Sequence, residues 1–153
     1  GLALFYGGMA RSKNVLGTIM QSFFLIGVIS VEFILIGYTL IFGDDLHGII
    51  GDFSKFGLGG AETAVLSDTH IPELAFVAFQ CMFAVITPAI MSGSITGRMR
   101  FAPFVIFALL WSIFVYNPMA HWIWGGGFLS DLGALDFAGG LAIPVLSGVS
   151  GLT

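Results

Sequence analysis

Charge is scarce in this chain. Only 9% of its 153 residues are Asp, Glu, Lys or Arg, against about 25% in soluble domains. The hydrophobic set makes up 57%, and mean hydropathy is +1.00. That balance excludes a water-soluble globular domain and places the chain in lipid. Cations are the scarcer sign: five Lys and Arg against nine Asp and Glu give a formal net charge of −4. No basic surface is left for a phosphate backbone, so nucleic acid is excluded as a partner. The single cysteine, Cys81, cannot form an intrachain disulfide, and in its apolar run a thiol behaves as a small hydrophobe. Phosphate loops, catalytic triads, redox pairs and dinucleotide fingerprints are missing. The string Gly57-Leu58-Gly59-Gly60 lacks the flanking strand and helix that would give it meaning. His47 and His70 lie among Asp44, Asp45 and Asp68 without metal-ligand spacing. The expectation is a protein that is no enzyme and carries no cofactor or metal.

Long apolar runs are what the chain does have. A spanning helix needs about 20 predominantly apolar residues, and residues 15–42, 72–95 and 101–124 are long enough. Residues 1–10 and 137–152 read as partial helices. The chain opens at Gly1 without a methionine and stops at Thr153 in mid-pattern, so both ends are expected to be cuts. Arg11 and Lys13 occupy one connection and Arg98 and Arg100 another, while Lys55 stands alone in the long loop 43–71. Counted alternately, four of the five cations fall on one side, which the positive-inside rule makes cytoplasmic. The N-terminal end is then outside. Asp44, Asp45, Asp52, Glu62, Asp68, Glu73, Asp131 and Asp136 all fall opposite. The loop's Gly48, Gly51, Gly57, Gly59 and Gly60 predict a turn-rich cap over helix ends rather than a domain. No internal repeat is visible. Ser92 with Thr96, and Ser147 with Gly151, have the four-residue spacing that lets helices approach closely in lipid.

Some side chains could do more than pack. Phe76, Phe79 and Phe83 recur at i, i+3 and i+7 beside Gln80, and so share a helix face. The stripe reads as packing, or as an aromatic surface able to hold a small cation against its ring faces. Trp122 and Trp124, beside Gly125, Gly126 and Gly127, read as interfacial anchors or as part of such a surface. His121 reads first as a hydrogen-bonded structural residue, with proton handling as the alternative. Glu32 is the one acid within an apparent span. Intramembrane carboxyls are costly enough to be functional by default, although one could be paired through a hydroxyl or backbone group. Asp136 opens the last segment, where capping and the helix dipole favour a carboxylate by about 0.5–2 kcal/mol.

Five strings in order carry a resemblance: GLALFYGGM at 1–9, RSKNVL at 11–16, AFQ at 78–80, AHWIWGGG at 120–127 and GALDFAGG at 133–140. Together they resemble the Amt/Rh/MEP ammonium transporters over essentially the whole chain. The resemblance implies an all-α, polytopic transmembrane helix bundle: about five helices of an eleven-helix inverted-repeat fold, residues 1–153 being an incomplete transmembrane domain that holds the first repeat. It implies transport of ammonium or ammonia through a hydrophobic pore, with a non-conducting ammonium sensor or receptor as the alternative. By the same resemblance Phe79, Phe83 and Trp124 match the outer recruitment site and gate. Asp136 matches an acid that orders that vestibule, and Phe5 matches a pore-facing aromatic. Family members are thought to part the proton from ammonia at the entrance and to pass ammonia between two pore histidines. Here Gly139-Gly140-Leu141-Ala142-Ile143-Pro144 stands where the family has Gly-Gly-Thr-Val-Val-His, so Pro144 lines the pore in place of the first histidine. Gly97 stands where relatives commonly have Glu. The implied partners are ammonium or ammonia as substrate, the lipid of a plasma membrane, two further copies in a homotrimer, and, as for many prokaryotic relatives, a PII-type signal protein on the cytoplasmic face.

Overall fold

The computed structural model describes residues 1–66, 70–95 and 97–152. Asp68 and Thr96, named above, lie outside the described residues. Among the described residues three helical segments are long and apolar enough to cross a membrane: Ser12–Phe42, Glu73–Ile95 and Phe101–Asp131. The first is a rod built from α2 (Val15–Glu32), a π-helical turn (Phe33–Gly37) and α3 (Tyr38–Phe42). At 1.5 Å per residue, residues 15–42 extend about 42 Å. α1 (Leu2–Met9) precedes this rod and packs on it. α4 (Glu73–Ile95) packs on α2. The next rod joins α5 (Phe101–Trp111), a second π turn (Ser112–Tyr116) and α6 (Asn117–Trp124), followed by the short α7 (Phe128–Asp131). A third π turn (Leu141–Val145) leads into α8 (Leu146–Leu152), which packs on α4. The result is the all-α bundle that the sequence implies, with Leu25, Ile29, Phe33, Ala84, Phe104 and Ala108 wholly buried at its centre.

The last helix begins later than its hydropathy suggests, at Leu141 rather than 137. Gly139 has φ +80°, a left-handed conformation that breaks the helical run. Pro144 explains the π turn that follows. Proline has no N–H to offer the Gly140 carbonyl, and Val145 N–H donates to it instead, one residue further on, at 3.3 Å. The other two π turns follow Glu32 on the first rod and begin at Ser112 on the next. Between the two rods Glu32 meets Ser112 and Asn117. π turns of this kind re-aim side chains and recur at functional positions.

The long loop forms the cap that its composition predicts. Its only strands, among the described residues, are the paired β1 (Asp45–Leu46) and β2 (Ile50–Gly51). Thr39 Oγ1 donates to the Asp52 carbonyl at 2.7 Å, and Trp122 Nε1 to the Ile49 carbonyl at 2.7 Å. Lys55 Nζ pairs with Glu73 Oε1 at 2.8 Å. At the opposite end Arg11, Asn14, Gly97 and Arg98 share the wall of a pocket of about 450 Å³, so the two basic connections do lie together. Gly97, at φ +78°, occupies backbone that a glutamate would adopt only under strain.

Small residues let these helices close. A side-chain carbon on Gly151 would lie 2.9 Å from Ser94 Oγ, and one on Gly93 would lie 2.5 Å from the Tyr6 ring. Gly93→Val is therefore expected to cost about 1–3 kcal/mol by overpacking. Thermal unfolding of the purified protein checks this, and adding Tyr6→Ala should restore part of the loss.

Candidate functional site

α4 presents Phe79 and Phe83 one turn apart, so the two rings meet: their centroids are 4.7 Å apart at an interplanar angle of 67°. Phe83 in turn stacks on Trp124, from the end of α6, at 5.8 Å and 25°. The trio grades from Phe79, 56% exposed, to the half-buried Phe83 and Trp124. Phe76 shares their face of α4 but does not join the cluster. Its ring packs on Phe42, at the end of α3, at 5.0 Å, and Gln80 is buried.

The Trp124 indole is held in place by a hydrogen bond from Nε1 to the Asp136 carbonyl at 2.8 Å. Asp136 is itself fixed through its side chain. Oδ1 accepts from Gly140 N–H at 2.6 Å, and Oδ2 accepts from Leu141 and Ala142 N–H at 2.7 and 3.2 Å. These are the otherwise unpaired amides of a helix start, where a carboxylate is also favoured by the dipole. One residue thus ties the start of the last helix to the tip of α6. Phe79, Phe83, Trp124 and Asp136 are brought together. The two remaining residues that the resemblance names stand apart: Phe5, 61% exposed, meets Tyr6 edge-on at 5.4 Å, and Pro144 is exposed on its π turn.

His121, fully buried, lies between two acceptors: Nδ1 is 2.7 Å from the Ile41 carbonyl and Nε2 is 2.9 Å from Asp45 Oδ1. A carbonyl and a carboxylate both need a donor, so the bridge is complete only when both ring nitrogens carry hydrogen. The hydrogen bond from His121, then that from Gly48 N–H, holds the Asp45 carboxyl below the usual range. Ser54, through its hydroxyl and N–H, does the same for Asp52. Sequence reading placed His121 at the helix end but did not join it to Asp45, 76 positions away. No local spacing signals a pair made by the hairpin folding over the helix tip.

A bundle of helices long and apolar enough to cross a membrane, with an aromatic cluster at one helix end, is the build of a polytopic integral membrane protein. The Ammonium Transporter Family matches residues 1–153. A protein named Ammonium transporter from Bacillus subtilis is 52% identical, over 99% of this chain and 38% of its own length. Another from Aquifex aeolicus is 49% identical, over 99% and 36%. Candida albicans Mep2 superposes with a TM-score of 0.89 at 34% identity, over 99% of this chain and 33% of that one. A structure titled Sensor Amt Protein gives a TM-score of 0.89 at 24% identity, over 98% and 38%, a likeness of fold alone. The chain belongs to the Ammonium Transporter Family, a family of transporters rather than enzymes. It spans somewhat more than a third of the length of these two curated relatives.

Asp136→Ala removes three accepted hydrogen bonds and is expected to cost about 0.5–2 kcal/mol. Faster amide exchange at 140–142 would report it. For Asp45 the sign follows from its lowered folded pKa. The stabilisation is present above the ordinary aspartate value of about 3.9 and is lost as pH falls through the lowered value. Exchange across 44–52, corrected for intrinsic rates, should rise there, and Asp45→Asn should raise it already at neutral pH.

Proposed function

We propose that this chain forms the first inverted repeat of an ammonium transporter, one wall of a pore that carries ammonium or ammonia across a membrane. The observation that carries the reading is the Phe79–Phe83–Trp124 cluster with its indole pinned by Asp136, within a chain of this family. A bare monovalent cation in hydrocarbon costs tens of kcal/mol by Born estimates, so it must be coordinated or deprotonated before it crosses. Ring faces contribute about 2 kcal/mol or more to a desolvated cation. That suffices to select and concentrate ammonium at the mouth and is far too little to carry it through. Phe79, Phe83 and Trp124 recruit the ion, and Asp136 keeps the cluster ordered. Phe5 and Pro144 line the conduit below. The basic end that holds Arg11, Lys13, Arg98 and Arg100 faces the cytoplasm, where a PII-type signal protein docks, and the capped end faces outward from a plasma membrane. The protein assembles as a homotrimer.

Pro144 favours a second reading, a sensor that binds ammonium without conducting it, since a proline side chain neither donates nor relays a proton. Uptake of ammonium or methylammonium in a transport-deficient host separates the two, because a sensor gives binding without flux. Under the transport reading, Phe83→Ala and Trp124→Leu each lower uptake at limiting ammonium by on the order of tenfold. That corresponds to about 1.4 kcal/mol of lost ring–cation attraction. Unchanged uptake in both variants would refute recruitment by the rings.

A further inference from the structure

Glu32 lies in the middle of the first long rod, 5% exposed, far along the sequence from any cation. Its carboxyl is met from the facing rod by two polar side chains. Asn117 Nδ2 donates to Oε1 at 2.8 Å, and Ser112 Oγ lies 3.0 Å from Oε2. Among the described residues the salt bridges are Lys55 with Glu73 and His121 with Asp45, so no cation pairs with Glu32. The titratable groups on the packed elements are Tyr116 and His121 on the facing rod, Glu73 and Cys81 on α4, and Tyr38 further along its own rod. None of them pairs with Glu32: both His121 ring nitrogens are engaged by the Ile41 carbonyl and Asp45, and the Tyr38 hydroxyl is engaged by Glu73 at 2.6 Å. An ionised carboxylate buried in apolar surroundings without a counter-charge is costly enough that such groups bind a proton or a cation.

The partners suit the proton. A serine hydroxyl can donate or accept. Ser112 Oγ can therefore donate to the ionised group or accept from the acid across the same 3.0 Å. Asn117 Nδ2 donates to Oε1 in either state. Asn117 Oδ1 is buried with no hydrogen-bond partner among the described residues. It also borders the space beside Gly37 that Glu32 Oε1 borders: a side-chain carbon on Gly37 would lie 3.2 Å from Oε1 and 3.5 Å from Oδ1. Two acceptor oxygens facing one small space repel when the carboxyl is ionised, and a proton on the acid relieves this.

Glu32 also lines an apolar groove of about 750 Å³ between the two rods, walled by Gly27, Val28, Val31, Leu35 and Ile113. We propose that Glu32 is a proton-binding carboxyl embedded in the bilayer, and that a hydrophobic carbodiimide entering by this groove captures it covalently. In that reaction the carboxyl proton moves to one carbodiimide nitrogen and a carboxyl oxygen bonds to the central carbon, giving an O-acylisourea. Acyl transfer from that oxygen to the neighbouring nitrogen then leaves an N-acylurea. Every atom of both reactants stays in the adduct, and no oxidant or leaving group is required. The site is separate from the aromatic cluster and does not depend on what crosses there.

The test uses the wild-type protein in its native membranes, treated with dicyclohexylcarbodiimide across a pH series and read by peptide mass spectrometry. The expected result is an adduct on Glu32 that declines roughly tenfold per pH unit above its midpoint, as for one proton. An infrared band of a protonated carboxyl should be present and should disappear in Glu32→Gln. If that variant fails to insert, the wild-type adduct decides alone. An unmodified Glu32 at mildly acid pH, while exposed Glu62 accepts a water-soluble carbodiimide, overturns the proposal. So does protection of Glu32 by sodium, potassium or ammonium at constant pH, which would make the occupant a metal or ammonium cation.

Discussion

Hydrocarbon offers no hydrogen bonds, so each polar group held at membrane depth must find its partner within the protein. Much of the irregular detail of this chain follows from that. Ser147 Oγ donates back to the Ile143 carbonyl at 2.6 Å, and Thr87 Oγ1 to the Phe83 carbonyl at 2.7 Å, one residue before Pro88 in α4. Pro144 withholds an N–H, and the helix widens by one residue so that Val145 can supply it. At Glu32 the same requirement is met across two rods, each opened by a π turn at the point of contact.

Asp136 shows how this requirement builds a site. The amides of Gly140, Leu141 and Ala142 need acceptors, and the carboxylate that supplies them fixes the backbone carbonyl that receives the Trp124 indole. A capping interaction worth about 0.5–2 kcal/mol thereby positions the ring on which Phe83 stacks. The bonds that make Asp136 a helix cap are also those through which it would order the proposed aromatic vestibule. The fully buried His121 does comparable work nearby, joining the end of the first rod to the hairpin that covers it.

Composition and hydropathy alone determined the solvent, the helical class and the three long spans, because a helix crossing lipid satisfies its own backbone and needs only enough apolar length. The ordered motifs added the family and named Phe79, Phe83, Trp124 and Asp136. Periodicity could not separate Phe76 from its neighbours: all three phenylalanines lie on one face of α4, and only the placement of α3 turned Phe76 toward Phe42. Tertiary structure alone decided the partners of Glu32, at sequence separations of 80 and 85, and that of His121, at 76. It also decided the late start at Leu141, set by the left-handed Gly139 and the folded-back carboxylate. Apolar length is a local property that the chain carries residue by residue, whereas a buried polar pair exists only once two distant segments have been packed together.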